Sequence, residues 1–192
     1  MSLMQGVEFS HWIIDNYLEN NKVLVDATCG NGYDTLFLSN KLDQNGKIYA
    51  FDIQESAIEN TKDKLKDKSL NIEYINDGHE KIDKYINEKI NCIIYNLGYL
   101  PGSSKDIITK KDTTIKSLQK ALKLLANNGL IVLVIYSEHE GGITEKDAVL
   151  EFSSNLDHKK YNVLHYHFIN QKMNPSEVVV INRRGEKDET SS

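Results

Sequence analysis

The chain holds only two cysteines, no long apolar run and no surplus of positive charge, and each shortage removes a class of function. Cys29 and Cys92 show no metal-ligand spacing, and two thiols in 192 residues do not make a disulfide scaffold. No stretch approaches the length of a membrane-spanning helix, and residues 1–6 lack the basic and apolar regions of a signal peptide. The cytoplasm is therefore the expected setting, with no membrane partner and no metal. A net charge of -5 excludes a protein coated in basic residues, so any nucleic-acid contact must rest on a local patch. No internal repeat or second-domain linker is visible. The length suits one domain, residues 1–183, with a helical region at 1–20 and a polar tail at 184–192.

What is present is concentrated in residues 22–34, KVLVDATCGNGYD. The apolar run Val23, Leu24, Val25 ends in Asp26, and Gly30-Asn31-Gly32 follows before Leu36, Phe37 and Leu38 begin a helical pattern. Strand, glycine turn and helix start form the opening of a nucleotide-binding βαβ unit. A dinucleotide fingerprint would need a third glycine where this chain has Thr35. Asp26, before the glycines, suits a cationic amine better than a pyrophosphate. The next unit, GKIYAFDIQ, ends in Asp52, an acceptor for ribose hydroxyls. An acid for an ammonium and an acid for a ribose, with no phosphate site required, point to S-adenosylmethionine. The competing reading is a tight turn with a purely structural role.

Taken in order, hydrophobic spacing predicts a helix over 7–20 packed on the sheet edge, a strand at about 22–26 and a helix to about 42. Strands follow at 48–52, 71–75, 91–96 and 130–136. Helices fall at 56–68, about 80–87, 112–126 (stopped by Asn128-Gly129) and 145–156. Segments 161–169 and 178–182 are separated by too few residues for a crossover helix and should pair as an antiparallel hairpin. The expected fold is α/β: a doubly wound, mostly parallel sheet with a C-terminal antiparallel β-hairpin.

In such sheets ligands sit beyond the carboxyl ends of the strands, which brings Asp26, Asp52, Asp77 and Asn96 to one rim. A buried strand-end Asn must hydrogen-bond somewhere. The Asn96 side-chain oxygen, with the Leu97 carbonyl, can accept two hydrogens from an amine and aim its lone pair at a methyl group. Tyr99 can stack on a flat substrate. The plain alternative is a turn that merely ends the strand. Six lysines between 102 and 126, among them Lys105, Lys110 and Lys111, outnumber Asp106 and Asp112 and begin just after this loop, with Arg183 and Arg184 as further candidates. Such a run can grip RNA phosphates or be a solvated helix face. His165 and His167 share a strand face, but no further ligand supports a metal.

DATCGNGYDTLFLS (26–39), FDIQ (51–54), DGHE (77–80), NLGYLPG (96–102), TKKDTTI (109–115), LVIYSEHEGG (133–142), EKDAVLEF (145–152) and FINQKMNP (168–175) together resemble the rRNA methylase family. The resemblance covers nearly the whole chain, and Cys29 stands where a smaller residue is expected. It implies a Rossmann-like class I S-adenosylmethionine-dependent methyltransferase that modifies the wobble uridine of tRNA, converting 5-aminomethyl-2-thiouridine to its methylaminomethyl form. It also implies roles for residues. Asp26, Gly30, Asn31 and Gly32 would hold the methionine end. Asp52 and Gln54 would meet the ribose, and Asp77 and His79 the adenine. Asn96, Leu97 and Tyr99 would position the amine, with Tyr136 and His139 lining the substrate side. For His139 a surface-loop role stays equally open. The implied partner is the tRNA anticodon stem-loop; a homodimer is left open. Alternatives are an rRNA base or a protein amide as acceptor, or a non-catalytic nucleotide-binding protein.

Overall fold

Short runs of branched apolar residues become the strands of one sheet, because side chains that alternate across a pleat can be buried on both faces at once. The computed structural model describes residues 2–98, 108–172 and 175–185. The strands are β1 (Val23–Asp26), β2 (Lys47–Phe51), β3 (Ile72–Ile75), β4 (Ile90–Leu97), β5 (Leu125–Ile135), β6 (Tyr161–Tyr166) and β7 (Glu177–Arg183). They lie in the order β3-β2-β1-β4-β5-β7-β6. β1 to β5 run parallel, and β7 inserts antiparallel between β5 and β6, with Glu177 opposite Ile135. The doubly wound sheet and its terminal hairpin are as expected. The strand order reverses between β1 and β4, and there a crevice opens at the carboxyl ends.

The helices are α1 (Gly6–Tyr17), α2 (Tyr33–Ser39), α3 (Glu55–Leu65), α4 (Ile82–Tyr85), α5 (Lys111–Leu124) and α6 (Gly142–Ser154). Leu118 and Ala121 of α5 and Val149 of α6 pack with Val25, Ile93, Tyr95, Ile131 and Leu133 on one face of the sheet. Ile13 and Ile14 of α1 and Leu38 of α2 cover Leu24, Ile48, Cys92, Ile94 and Val132 on the other. Each buried valine, leucine or isoleucine among them contributes about 1.5–3 kcal/mol relative to exposure.

Four local expectations change. α1 lies across the sheet face over β5 and β7, not on its edge, because Ile13 and Ile14 find their apolar partners in the centre. The segment around 80–87 is a 3₁₀ turn, His79–Lys81, followed by the single turn α4. β5 begins at Leu125, not 130: Leu125 pairs with Ile90, and Asn128 (φ 60°) with Gly129 forms an irregularity inside the strand instead of a stop before it. β6 ends at Tyr166, short of residue 169.

Candidate active site

The loop between β1 and α2 needs conformations that only glycine takes easily. Gly30 and Gly32 have φ of 51° and 75°, and a Cβ on Gly32 would stand 2.9 Å from the Thr61 Cα. Neighbouring groups fasten the loop to the second βα unit. Gly30 N–H donates to Asp52 Oδ2 (3.0 Å), the Thr61 hydroxyl to the Gly30 carbonyl (3.2 Å) and the Asn60 amide to Asn31 Oδ1 (3.0 Å). Asp52 Oδ1 accepts the Gln54 N–H at 2.9 Å. Burial raises the Asp52 pKa, opposed by those backbone donors. Asp52 thus stands at the end of β2 facing the glycines.

Asp26 is placed differently from expectation. It is fully buried, with Oδ2 accepting the Thr35 hydroxyl (2.6 Å) and Oδ1 the Thr28 N–H (3.2 Å). Burial first, then the nearby Asp34 charge, pushes its pKa well above the ordinary carboxylate range. A carboxyl so enclosed buttresses the loop from beneath and does not itself present an oxygen to a ligand. Thr35, at the position where a dinucleotide site has glycine, supplies the hydroxyl that holds it.

At the end of β3, Asp77 is gripped by Lys81, by the Tyr85 hydroxyl (2.9 Å) and by the Gly78 N–H (2.8 Å). The Lys81 contact is the main cause of its pKa falling to about 2. His79 follows, buried, its ring edge-on to Tyr95 at 5.6 Å. Burial pulls its pKa down to about 4, so the ring is neutral. Its Nδ1 has no hydrogen-bond partner among the described residues. A buried orphan nitrogen is costly unless something fills it.

The end of β4 lies beside the glycine loop and the start of α2. The Asn96 side-chain N–H donates to Asp34 Oδ2, while His11 Nε2 donates to Asp34 Oδ1 at 2.5 Å. The His11 ring lies flat on Phe37, 3.8 Å between centroids and 1° from parallel. The Asn96 N–H is held by the Thr28 hydroxyl at 2.7 Å. With its NH₂ donating to a carboxylate, the Asn96 amide keeps its oxygen as an acceptor. Neither Asp34 nor His11 was singled out from sequence; the carboxylate in the first turn of α2, close after the glycines, was the available signal. Leu97 departs from expectation: it is buried, and its carbonyl accepts the Tyr136 N–H at 2.9 Å as part of the sheet ladder. Tyr136, 39% exposed, packs against Gly98, and burial followed by the Asp34 charge raises its pKa. His139 lies in the loop beyond β5, its Nδ1 donating to the Glu140 carbonyl at 3.1 Å. Tyr99 and Lys105 fall outside the described residues.

Thr109 donates its N–H to the Gly98 carbonyl (2.9 Å) and its hydroxyl to the buried Glu145 (2.7 Å). The lysines do not form one patch. Lys110 and Lys111 are exposed beside this rim, Lys120 is paired with Asp83, and Lys123 is at the far end of α5. His165 pairs with Glu177 at 2.7 Å, and among the described residues no three-ligand metal cluster exists.

A glycine cradle without Cβ atoms, an acid at the β2 end and an orphan buried nitrogen after β3 fit an adenosyl cofactor lying across β1, β2 and β3. The comparisons point to the same cofactor class. A family model described as "Putative rRNA methylase" matches residues 48–182. The chloroplastic tRNA (mnm(5)s(2)U34)-methyltransferase of Arabidopsis thaliana is 33% identical, over 93% of this chain and 70% of that one. A solved "putative rRNA-methylase" from Clostridium thermocellum is 41% identical with a TM-score of 0.91, over 95% of this chain and 100% of its own. A "putative methyltransferase" from Streptococcus mutans, solved in complex with SAH, is 40% identical with a TM-score of 0.86, over 95% and 99%.

Proposed function

The chain belongs to the rRNA methylase family and is an S-adenosylmethionine-dependent methyltransferase, and from that premise we propose that its acceptor is RNA, namely the aminomethyl nitrogen of 5-aminomethyl-2-thiouridine at the tRNA wobble position. The observation that carries the amine acceptor is Asn96 anchored by Asp34 at the end of β4. An amide locked by its NH₂ offers a fixed oxygen to an N–H, which suits an amine nucleophile. The relative that acts on mnm(5)s(2)U34 supports the particular amine.

In this reading Gly30, Asn31 and Gly32 cradle the methionine end, and Asp26 holds that loop from below. Asp52 and Gln54 take the ribose. Asp77 and the orphan Nδ1 of His79 face the adenine. Bound there, the cofactor supplies a methyl carbon already activated by its sulfonium sulfur. The chain then has to position and desolvate. Asn96 accepts one N–H of the neutral amine and turns its lone pair toward the methyl, and Leu97 holds Asn96 in the sheet register. Tyr136 and His139 line the substrate side, joined in our reading by Tyr99, while Lys110 and Lys111, with Lys105, meet phosphates. Such positioning is worth about 7–11 kcal/mol of barrier. Two free buried thiols, Cys29 and Cys92, suit the reducing cytoplasm in which we place this single-domain enzyme.

Methyl transfer from labelled cofactor to bulk tRNA of a strain lacking this gene, followed by nucleoside mass spectrometry, tests the proposal. The expected product is 5-methylaminomethyl-2-thiouridine at the cost of the aminomethyl form. Label in rRNA, in a protein or in another nucleoside would overturn the assigned acceptor.

A further inference from the structure

Lys123 lies at the opposite pole of the molecule from Lys110 and Lys111. The 14 residues of α5, at 1.5 Å rise each, separate its two ends by about 20 Å. At that pole a cavity of about 740 Å³ opens where α5 ends, β6 begins and β7 ends. Lys123, Lys159, Lys160, Arg183 and Arg184 line it, with the half-buried ring of Tyr161 among them. No acid lines it. Asp157 reaches Lys160 at 4.0 Å, an exposed pair that neutralises little. Arg183 donates to the Leu125 carbonyl (2.8 Å) and Arg184 to the His158 carbonyl (3.4 Å). Those bonds orient both guanidinium groups without supplying a countercharge. Lys89, donating to the Lys123 carbonyl at 3.0 Å, adds another cation at the edge.

A chain of net charge -5 has acids to spare, yet five cations from three separate segments converge here on one concave surface. Gathering like charges raises the potential of the groove and makes a mobile or bound anion the natural counterpart. The groove is far larger than one phosphate needs, and its cations are spread over several elements. That geometry fits successive phosphates of a nucleic-acid backbone. We propose that this groove is a second RNA contact, remote from the methyl-transfer rim, which holds the phosphate backbone of the acceptor's stem while the modified base enters at the carboxyl ends of the strands. The distance of about 20 Å spans on the order of half a turn of duplex, so only an RNA longer than its loop reaches both places. The inference deepens the RNA reading above and rests on it.

The test compares the parent protein with a Lys159→Glu/Lys160→Glu double variant and a Lys159→Arg/Lys160→Arg control. Both lysines are exposed, and neither belongs to the methyl-transfer rim. With whole tRNA as acceptor, the glutamate variant should raise KM at least tenfold and leave cofactor affinity unchanged. The slope of log K against log salt should become shallower by about 1.4–1.8 for two lost phosphate contacts. The arginine control should behave as the parent. With a short anticodon hairpin as acceptor, parent and glutamate variant should be equal. An unchanged KM and salt slope on whole tRNA, or an equal loss on the hairpin, would overturn the groove. The failure of the wobble assignment is read separately, from the identity of the labelled nucleoside, and the groove test then runs on whichever RNA carries the label.

Discussion

Asp34 joins Asn96 to His11: one carboxylate oxygen accepts the Asn96 amide N–H and the other accepts His11 Nε2–H at 2.5 Å. A carboxylate only accepts, so it fixes which end of the amide turns inward and which outward. His11, laid on Phe37, fixes the carboxylate in turn.

Asp34→Asn should therefore disturb turnover more than binding, because an Asn at 34 can donate and so lets the Asn96 amide flip. The expected result is a loss of on the order of 100-fold in kcat with cofactor affinity within a few-fold of the parent. Asn96→Ala should show the same split, and the double variant should be no slower than the worse single one. Steady-state kinetics alongside calorimetric cofactor titration read this. Independent, multiplying losses would mean that the two residues do not act as a unit.

Gly32→Ala and Gly141→Ala form a matched pair. Both glycines are left-handed, at φ 75° and 79°, so each alanine costs about 1–2 kcal/mol from backbone conformation. Of the two, only the Gly32 Cβ meets backbone, 2.9 Å from Thr61 Cα, whereas that of Gly141 meets nothing within 4 Å among the described residues. Urea unfolding should show the larger loss at 32, and cofactor affinity should fall there alone.

His79 makes stability depend on pH. Its folded pKa of about 4 lies below the ordinary 6.5, so above pH 6.5 the neutral ring is fully accommodated. As pH falls from 6.5 towards 4 the unfolded chain takes up a proton that the folded one refuses, and stability is lost, by about 3 kcal/mol across the window. Asp26, with its pKa raised, works in the opposite sense: its contribution falls as pH rises above the ordinary carboxylate range. Subtracting the stability curve of His79→Asn from that of the parent isolates the histidine. A flat difference between pH 4 and 6.5 would contradict the burial argument.

Glu145→Ala should unfold early. The buried carboxylate accepts the Thr109 hydroxyl at 2.7 Å and the Thr114 hydroxyl at 2.6 Å, and so ties α5 and the returning chain to α6. Removing it leaves two hydroxyls without their acceptor, at about 2–4 kcal/mol in denaturant titration. Lys62→Ala, which breaks the exposed pair with Glu59, should leave the denaturation midpoint essentially unchanged.

Much of this molecule is legible in one dimension because its strands, its glycine turn and its hairpin are local events. Val23 to Asp26 followed by Gly30-Asn31-Gly32 announces a nucleotide-binding turn, and the short gap between β6 and β7 dictates their antiparallel pairing. The order of acids along the rim follows from the alternation of strand and helix. The places where local reasoning misses are those where a neighbour distant in sequence decides. β5 starts early because Ile90 offers Leu125 a partner, and α1 leaves the edge because the apolar centre of the sheet is uncovered.

Residue type and spacing alone determined the fold class, the glycine turn after β1 and the arrival of Asn96 at the strand-end rim. Only the tertiary structure decided that Asp26 is a buried prop, that Asp34 and His11 orient Asn96, and that the lysines divide between two poles with Lys159 and Lys160 joining the far one. The physical reason is that burial and charge act through space: a carboxylate's partners, and the cations that gather on one groove, are set by side chains brought together from separate elements, and no spacing along the chain records that meeting.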